Sequence, residues 1–361
     1  MSRVFVCVVF AASMISAAFA DSADVKTALD AKIPVWLKQF NVPSASVAYV
    51  NDGALAWTAA YGAQSPRVAA TTNTLYNIAS LTKPITAETV LRLASAGKLS
   101  LDEPMSTYWI DPDIREDPRH KMLTPRLGLL HKTGFPNWRY DTNNVLAFQF
   151  DPGAKSQYSG EGFQYVARFA QAKLGQPFDA LAQVNVLDRT GMTSTSFRKR
   201  AWFEGRVAIP QGPEGKPGEA QFQKTWNAAD DVYATAGDYA RFILSVMRNE
   251  GVSEAIARER LTIVDEAKPE VCGEGKLNAA QCPESVGFGL GWAAFKYKGE
   301  TVVTHGGSDW GVKTYAMFVP ERRMGAVVLT NGENGMKVVR EVVGALYANE
   351  AYLAVLTLQA R

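Results

Sequence analysis

Residues 77–104 read NIASLTKPITAETVLRLASAGKLSLDEP, and their apolar residues recur at helical spacing over 81–97. Ser80 stands where this helix is predicted to begin and is expected to act as its N-cap. Pro84 in the first turn agrees with that start, because a missing N–H costs little there. Lys83 follows Ser80 by three residues, so the two side chains are predicted to share one face.

A serine and a lysine one turn apart can act as a nucleophile and its base. A serine hydroxyl is a poor nucleophile at neutral pH unless a base accepts its proton. Lysine is normally protonated, with a pKa of about 10.4, but burial in a cleft and a helix N-terminus both lower that pKa. The alternative is a capped helix with a solvated lysine, because the S-x-x-K pattern alone is weak evidence.

The flanking segments predict a sheet that is built from both ends of the chain. SASVAYVNDGALAWTAAYG, residues 44–62, predicts two strands around Asn51-Asp52-Gly53, a hairpin signal. Three further strands are predicted near the other end, in TVVTH, VKTYAMFV and MGAVVLTN. Helices are predicted over 25–40 and 338–358.

The middle of the chain has a different pattern. Helical periodicity recurs over 81–97, 161–174, 178–190 and 236–248, with long irregular connections. The predicted fold class is α+β, with an antiparallel sheet flanked by N- and C-terminal helices and a largely helical inserted domain. The sheet subdomain is expected to comprise 21–80 and 285–361, and the helical insertion 81–284. A cleft between them is the natural place for a site.

The first twenty residues predict a signal peptide, residues 1–20. Arg3 supplies a positive charge, residues 4–18 form an apolar run, and Ala18-Phe19-Ala20 resembles a cleavage site. The run is short for a transmembrane span. We therefore expect a periplasmic or secreted protein, residues 21–361, without a stable membrane span.

Removal of that signal leaves two cysteines, Cys272 and Cys282. An even pair in an oxidising compartment predicts a disulfide. The alternative is a metal-binding pair, but the sequence has only three histidines, at positions 120, 131 and 305, and none is nearby. No metal or cofactor is predicted. A net charge of only +2 argues against a nucleic-acid partner.

The segment LYNIASLTKPITA, residues 75–87, resembles the nucleophile segment of the serine β-lactamase-like family. That family includes class C β-lactamases, esterases, D,D-peptidases and D-aminopeptidases. The resemblance covers nearly the whole mature chain, and it includes NAADDVYATAGDYARFIL at 227–244. It implies that Ser80 attacks a carbonyl, with Lys83 as its base and the Ser80 N–H in the oxyanion hole.

A second element of the family is identified in DPGAKSQYSGEGFQYVARF, residues 151–169. The resemblance implies that the Tyr158 hydroxyl shuttles a proton with Lys83 and protonates the leaving group. The alternative is a tyrosine that packs its loop onto the following helix. Gly160 departs from the family pattern, since true β-lactamases have an asparagine there that holds the acylamido group of the antibiotic. Its absence favours an esterase or peptidase.

The third family element, K-T-G, has two candidates. Lys132-Thr133-Gly134 matches it literally, but it precedes Tyr158 and falls in LTPRLGLLHKTGFPNWR, which resembles a different segment of the family. The counterpart is VVTHGGSDWGVKTYAMFVP, residues 302–320, where His305-Gly306-Gly307 takes that place. The segment is expected to be a strand that edges the cleft.

This strand is expected to contact the substrate. Gly306 and Gly307 would let the substrate approach closely, and the resemblance implies that the Ser308 N–H completes the oxyanion hole with that of Ser80. His305 would donate to a substrate carbonyl or carboxylate, or assist the Tyr158 relay; a structural histidine is the alternative. His131 is expected to be structural, and His120, in a charged stretch, to lie at the surface.

The sequence thus predicts an exported serine hydrolase that forms an acyl-enzyme and hydrolyses esters or D-amino-acid amides. Its expected partner is a small-molecule or peptide substrate. The alternatives are a β-lactamase proper and a penicillin-binding sensor that acylates without turnover.

Overall fold

A computed structural model describes residues 22–273 and 276–361 of the chain, so the predicted signal peptide lies outside the described residues. In these ranges the strands are β1 Ser44–Asn51, β2 Ala54–Ser65, β3 Val68–Ala69, β4 Tyr76–Asn77, β5 Tyr233–Ala234, β6 Ser285–Phe288, β7 Ala293–Tyr297, β8 Glu300–Asp309, β9 Val312–Val319 and β10 Met324–Thr330. The α-helices are α1 Ser22–Phe40, α2 Thr82–Ser95, α3 Pro125–Leu129, α4 Gly160–Leu174, α5 Phe178–Ala182, α6 Asp188–Thr190, α7 Ala236–Met247, α8 Glu254–Arg260, α9 Lys268–Cys272, α10 Gly335–Leu346 and α11 Glu350–Gln359.

The large sheet has eight described strands in the order β3-β2-β1-β10-β9-β8-β7-β6, and every pairing between neighbours is antiparallel. The first and last parts of the chain meet where β1 pairs with β10, with Val47 opposite Val328. The predicted hairpin joins β1 to β2, and Asp52 and Gly53 take positive φ angles of 48° and 70°. The predicted α+β fold with an antiparallel sheet is confirmed.

Both faces of the sheet are covered, so its central strands are apolar on both sides. In β10, Val327 and Leu329 belong to the core that lies between the sheet and the helices of the middle region. Ala326 and Val328 belong to the core on the opposite face, with α1, α10 and α11. This alternation follows from the two-residue period of a strand. The division into a sheet subdomain and an insertion, with the boundaries given above, stays a prediction.

The single closing helix predicted over 338–358 is wrong, because the structure has two helices there, α10 and α11. Tyr347 is extended, with φ −140° and ψ 92°. Asn349 then caps the next helix, since its side-chain oxygen accepts the backbone N–H of Tyr352 at 3.0 Å. An asparagine N-cap is a start signal inside an otherwise apolar helical pattern.

Helix α2 lies in the core, and a buried ion pair ties it to its neighbours. The Arg260 guanidinium donates to both carboxylate oxygens of Glu88, at 3.1 and 3.2 Å, and the two side chains are 2% and 0% exposed. Trp292 donates to Glu88 at 3.3 Å, and Arg260 also donates to the Val246 carbonyl at 2.7 Å. The helix that carries Lys83 is therefore fixed against α7, α8 and the residue that precedes β7.

Cys272, at the end of α9, and Cys282 form a disulfide with their Cα atoms 5.7 Å apart. The link lies beside β6, the edge strand of the sheet. Within the described residues, none of the helices combines the length and apolarity that a bilayer span requires.

We predict that Glu88→Ala lowers the free energy of unfolding by about 3–5 kcal/mol, because it leaves the Arg260 charge buried without its partner. Urea denaturation measures the change. Glu254→Ala, which removes the exposed pair with Arg258, is the matched control and should cost about 1 kcal/mol or less. Equal losses in the two variants would contradict this assignment.

Candidate active site

A cavity of about 590 Å³ lies at the N-terminal end of α2, between the sheet and the middle region. It is lined by residues of the turn before α2, of the loops around Trp138 and Tyr158, and of β6 to β9. Among its described lining residues, the charged ones are Asp230 and Lys313. Ser80, Tyr158, His305, Gly306, Gly307 and Ser308 all contribute to its wall.

Ser80 does not cap the helix, so the N-cap prediction is wrong. It lies in a 3-10 turn, Ala79–Leu81, and α2 begins at Thr82 without a side-chain cap. The backbone of Ala79 has a positive φ of 46°, a conformation that costs an L-residue of order 1 kcal/mol or more. Its N–H donates to the Asn77 side chain at 2.7 Å, which holds the turn. The Ser80 hydroxyl is thus left available.

Lys83 forms a hydrogen bond with the Ser80 hydroxyl. Its Nζ donates to Ser80 Oγ at 2.9 Å and to the Ala229 carbonyl at 2.9 Å. The side chain is fully buried, and burial lowers the pKa of Lys83 to about 8, while the charge of Asp230 raises it in part. A measurable share of the amine is therefore neutral at physiological pH and can accept a proton.

Tyr158 lies beside this pair, with its ring centroid 4.7 Å from Lys83 Nζ. Burial raises the pKa of the Tyr158 phenol, and a smaller contribution from its hydrogen bond with Ser80 lowers it. The phenol therefore stays protonated at neutral pH, and Lys83 loses its proton first. The arrangement suits Tyr158 to carry a proton rather than to begin as a tyrosinate base.

His131 has a structural place, as predicted. It is 1% exposed, and its Nδ1 accepts the backbone N–H of Ser159 at 3.0 Å. Its ring packs 4.5 Å from the Tyr158 ring, so it positions the loop that carries the tyrosine. The neighbouring Lys132-Thr133-Gly134 lies outside the described cavity lining, and Lys132 instead pairs with Asp265 at 2.8 Å.

His305 is a neutral ring whose proton is on Nδ1. Its Nδ1 lies 2.7 Å from the carbonyl oxygen of Gly306 and therefore carries the ring proton. Nε2 is buried and has no partner among the described residues. Burial lowers the pKa of His305 to about 3, so the ring stays neutral. This tautomer cannot donate from Nε2 to a substrate carbonyl or carboxylate.

The two glycines after His305 have different roles in the structure. Residues 305–309 of β8 extend past their pairing with β7, which ends at Thr304, so this stretch has a free edge. A Cβ at Gly307 would lie 2.4 Å from the carbonyl oxygen of Ile78, in the turn before Ser80. A Cβ at Gly306 would meet only ordinary contacts, at 3.7 Å or more. Gly307 therefore seats the Ser80 turn, and Gly306 keeps the strand edge open.

The indole of Trp138 occupies the space beside Gly160. A Cβ on Gly160 would lie 2.8 Å from the Trp138 ring, and the Gly160 N–H donates to the Asn137 side chain at 3.0 Å. An asparagine side chain at position 160 does not fit while Trp138 stays in place. The structure thus gives a physical reason for Gly160 in place of the asparagine of the family pattern: the Trp138 indole occupies the space that the asparagine would need.

Asp230 is a site residue that the sequence analysis missed. It lines the cavity, and it directly follows Ala229, whose carbonyl holds Lys83. Burial raises the pKa of Asp230 to about 7, with a further contribution from the neighbouring Asp231. With Asp231 and Asp309 it forms a group whose carboxylate oxygens lie within 4.8 Å of one another. The adjacent carboxylates in NAADDVY were the only sequence signal.

We predict that Gly307→Ala lowers the free energy of unfolding by about 1–3 kcal/mol, because the new methyl group displaces the Ser80 turn. Gly306→Ala, on the same strand, should stay within about 0.5 kcal/mol of the parent. Chemical denaturation of both variants checks the pair. A tolerated Gly307→Ala would show that the turn does not depend on this contact.

The sequence of the chain is similar to those of known proteins. A family model described as Beta-lactamase matches residues 28–348. A β-lactamase of Pseudomonas fluorescens is 23% identical over 341 residues, which cover 85% of this chain and 94% of the relative. A D-aminopeptidase of Gluconobacter oxydans (strain 621H) is 24% identical over 340 residues, which cover 84% of this chain but only 58% of the relative.

Solved structures show the same fold. A D-alanine carboxypeptidase, AmpC from Burkholderia cenocepacia, matches with a TM-score of 0.73 at 21% identity, over 91% of this chain and 99% of that one. A class C β-lactamase matches with a TM-score of 0.73 at 19% identity, over 91% and 97%. The fold is β-lactamase/transpeptidase-like, and, since the family model spans most of its length, the chain belongs to the Beta-lactamase family.

Proposed function

We propose that the protein is an exported serine hydrolase that forms an acyl-enzyme at Ser80. The observation that carries the proposal is the hydrogen bond from the fully buried Lys83 amine to the Ser80 hydroxyl, at 2.9 Å. Its relatives include proteins named β-lactamase and D-aminopeptidase.

The neutral amine of Lys83 takes the Ser80 proton as the oxygen attacks the substrate carbonyl, which becomes a tetrahedral oxyanion. The backbone N–H groups of Ser80 and Ser308 stabilise that charge, and removing one such donor typically costs ~10²-fold or more in rate. Tyr158 gives its proton to the leaving group and regains one from Lys83. Water then attacks the acyl carbonyl, and the acid is released as Ser80 recovers its proton.

Among substrates we favour esters or D-amino-acid amides over β-lactams. Trp138 fills the space that the side chain of an asparagine at position 160 would need, and the resemblance implies that this asparagine helps β-lactamases to hold the acylamido group. His305 stands as a neutral ring in place of a cation, which disfavours a substrate with a free carboxylate. Asp230 lines the cavity and can pair with the ammonium group of a D-aminoacyl substrate.

We also propose that the protein is exported. Residues 1–20 have the pattern of a signal peptide, and the Cys272–Cys282 disulfide fits an oxidising compartment.

A substrate panel tests the proposal: p-nitrophenyl butyrate, D-alanyl amides and nitrocefin, each with the parent protein and with Ser80→Ala. We expect turnover of esters or amides, little of nitrocefin, and a loss of ~10³-fold or more in kcat with Ser80→Ala. Equal slow rates in both proteins would refute it. A fluorescent penicillin that labels Ser80 and is never released would favour the sensor, and rapid nitrocefin turnover a β-lactamase.

We predict that kcat/KM rises with pH through about 8, because only the neutral form of Lys83 accepts the Ser80 proton. The Lys83 pKa is raised in part by the Asp230 charge, so Asp230→Asn should move this limb to lower pH. Asp309→Asn, at an exposed carboxylate of the same group, is the matched control and should move it less. A rate that falls with rising pH over this range would contradict Lys83 as the base.

A further inference from the structure

The cavity does not end at Ser80, because it continues around the free edge of β8 to the opposite face of the sheet. Alternation along β8 directs His305 and Gly307 to the Ser80 side and Thr304 and Gly306 to the other side. Residues from both sides line the same cavity. Gly306 lies at the passage between them, and it is exposed.

The part of the cavity behind β8, which we call the rear arm, has apolar walls. They are provided by residues of α9, β6, β7, β9 and α10 that pack against the core of that face: Val271, Val286, Phe295, Tyr315 and Met336. The Tyr315 hydroxyl already pairs with that of Tyr352, so its ring presents an apolar surface. Apolar lining with few polar groups is typical of a small-molecule site.

The one cation among the described residues of this lining is neutralised. Lys313 Nζ pairs with Glu333 at 2.6 Å and donates to the Asp309 carbonyl at 3.1 Å. No carboxylate lines the rear arm in the described part of the chain, since Asp230 lies on the Ser80 side beside Lys83. The rear arm therefore fits a neutral apolar group.

The rear arm opens on the side of the cleft that carries Tyr158. Phe288, at the end of β6, lines the cavity and lies 6.1 Å from the Tyr158 ring and 4.8 Å from the His131 ring. Tyr158 is the group assigned to protonate the leaving group. A leaving group within its reach thus lies next to the entrance at Gly306.

We propose that the rear arm binds an alkyl or aryl leaving group of the substrate, so that the enzyme prefers esters of apolar alcohols. The inference rests on the proposed function of Ser80. Burial of each additional methylene group should raise kcat/KM about threefold to fourfold, up to the length that fills the rear arm.

Two ester series test the assignment: acetates of ethanol, butanol and hexanol, and ethyl esters of acetic, butyric and hexanoic acid. We expect kcat/KM to rise about tenfold per two methylenes in the alcohol series, and to change much less in the acyl series. Met336→Trp fills the rear arm and should abolish the rise of kcat/KM in the alcohol series. Lys337→Trp, exposed on the same helix, is the matched control and should keep the rise.

A rise confined to the acyl series would overturn the assignment, and so would a rise that Met336→Trp leaves unchanged. Binding separates this inference from the catalytic one. In Ser80→Ala protein with ¹³C-methyl methionine, hexan-1-ol should shift the Met336 signal saturably and at lower concentration than butan-1-ol. If the Met336 signal shifts in the Ser80→Ala protein but the parent protein does not turn over esters, the catalytic proposal alone is refuted. If the parent protein turns over esters but the signal does not shift, the rear-arm proposal alone is refuted.

Discussion

The burial of the Lys83 amine is the constraint on which the rest of the site depends. Lys83 is fully buried, and two oxygen atoms, Ser80 Oγ and the Ala229 carbonyl, hold its nitrogen. Burial lowers the pKa of the amine, and the nearby carboxyl of Asp230 limits that effect. The environment therefore sets how much free base is present, and α2 must be rigid enough to keep water out.

That rigidity comes from features distributed over the fold. The Glu88–Arg260 pair fixes α2 against α8. Gly307 lets β8 approach the turn that carries Ser80. His131 holds the loop of Tyr158 through the Ser159 N–H. Each of these contacts joins segments that are distant in the chain. Tyr158 therefore reaches Lys83 and Ser80 only when these distant segments are packed together.

The sequence predicted the features that depend on local pattern. The β1–β2 hairpin, the strands β8 to β10 and the spacing of Ser80 and Lys83 can all be read from neighbouring residues. Tertiary features could not be read in this way. Ser80 turned out to lie in a 3-10 turn, because the strained Ala79 displaces the helix start. His120, expected at the surface, is 7% exposed, since its charged neighbours turn outward while its ring faces the Ile114 carbonyl. The effect of Asp230 on the pKa of Lys83 could not be read from the sequence, because the two residues are far apart in the chain.

The contact of Trp138 with Gly160 has a consequence for how such a site can change over evolution. An asparagine at position 160 collides with the indole, whereas a smaller residue at position 138 only widens the cleft that Trp138 lines. The two positions are therefore epistatic: an asparagine at position 160 is tolerated only after position 138 has become smaller. Exchange from an indole-lined to an amide-lined cleft thus has to begin at position 138, which gives the two steps a fixed order.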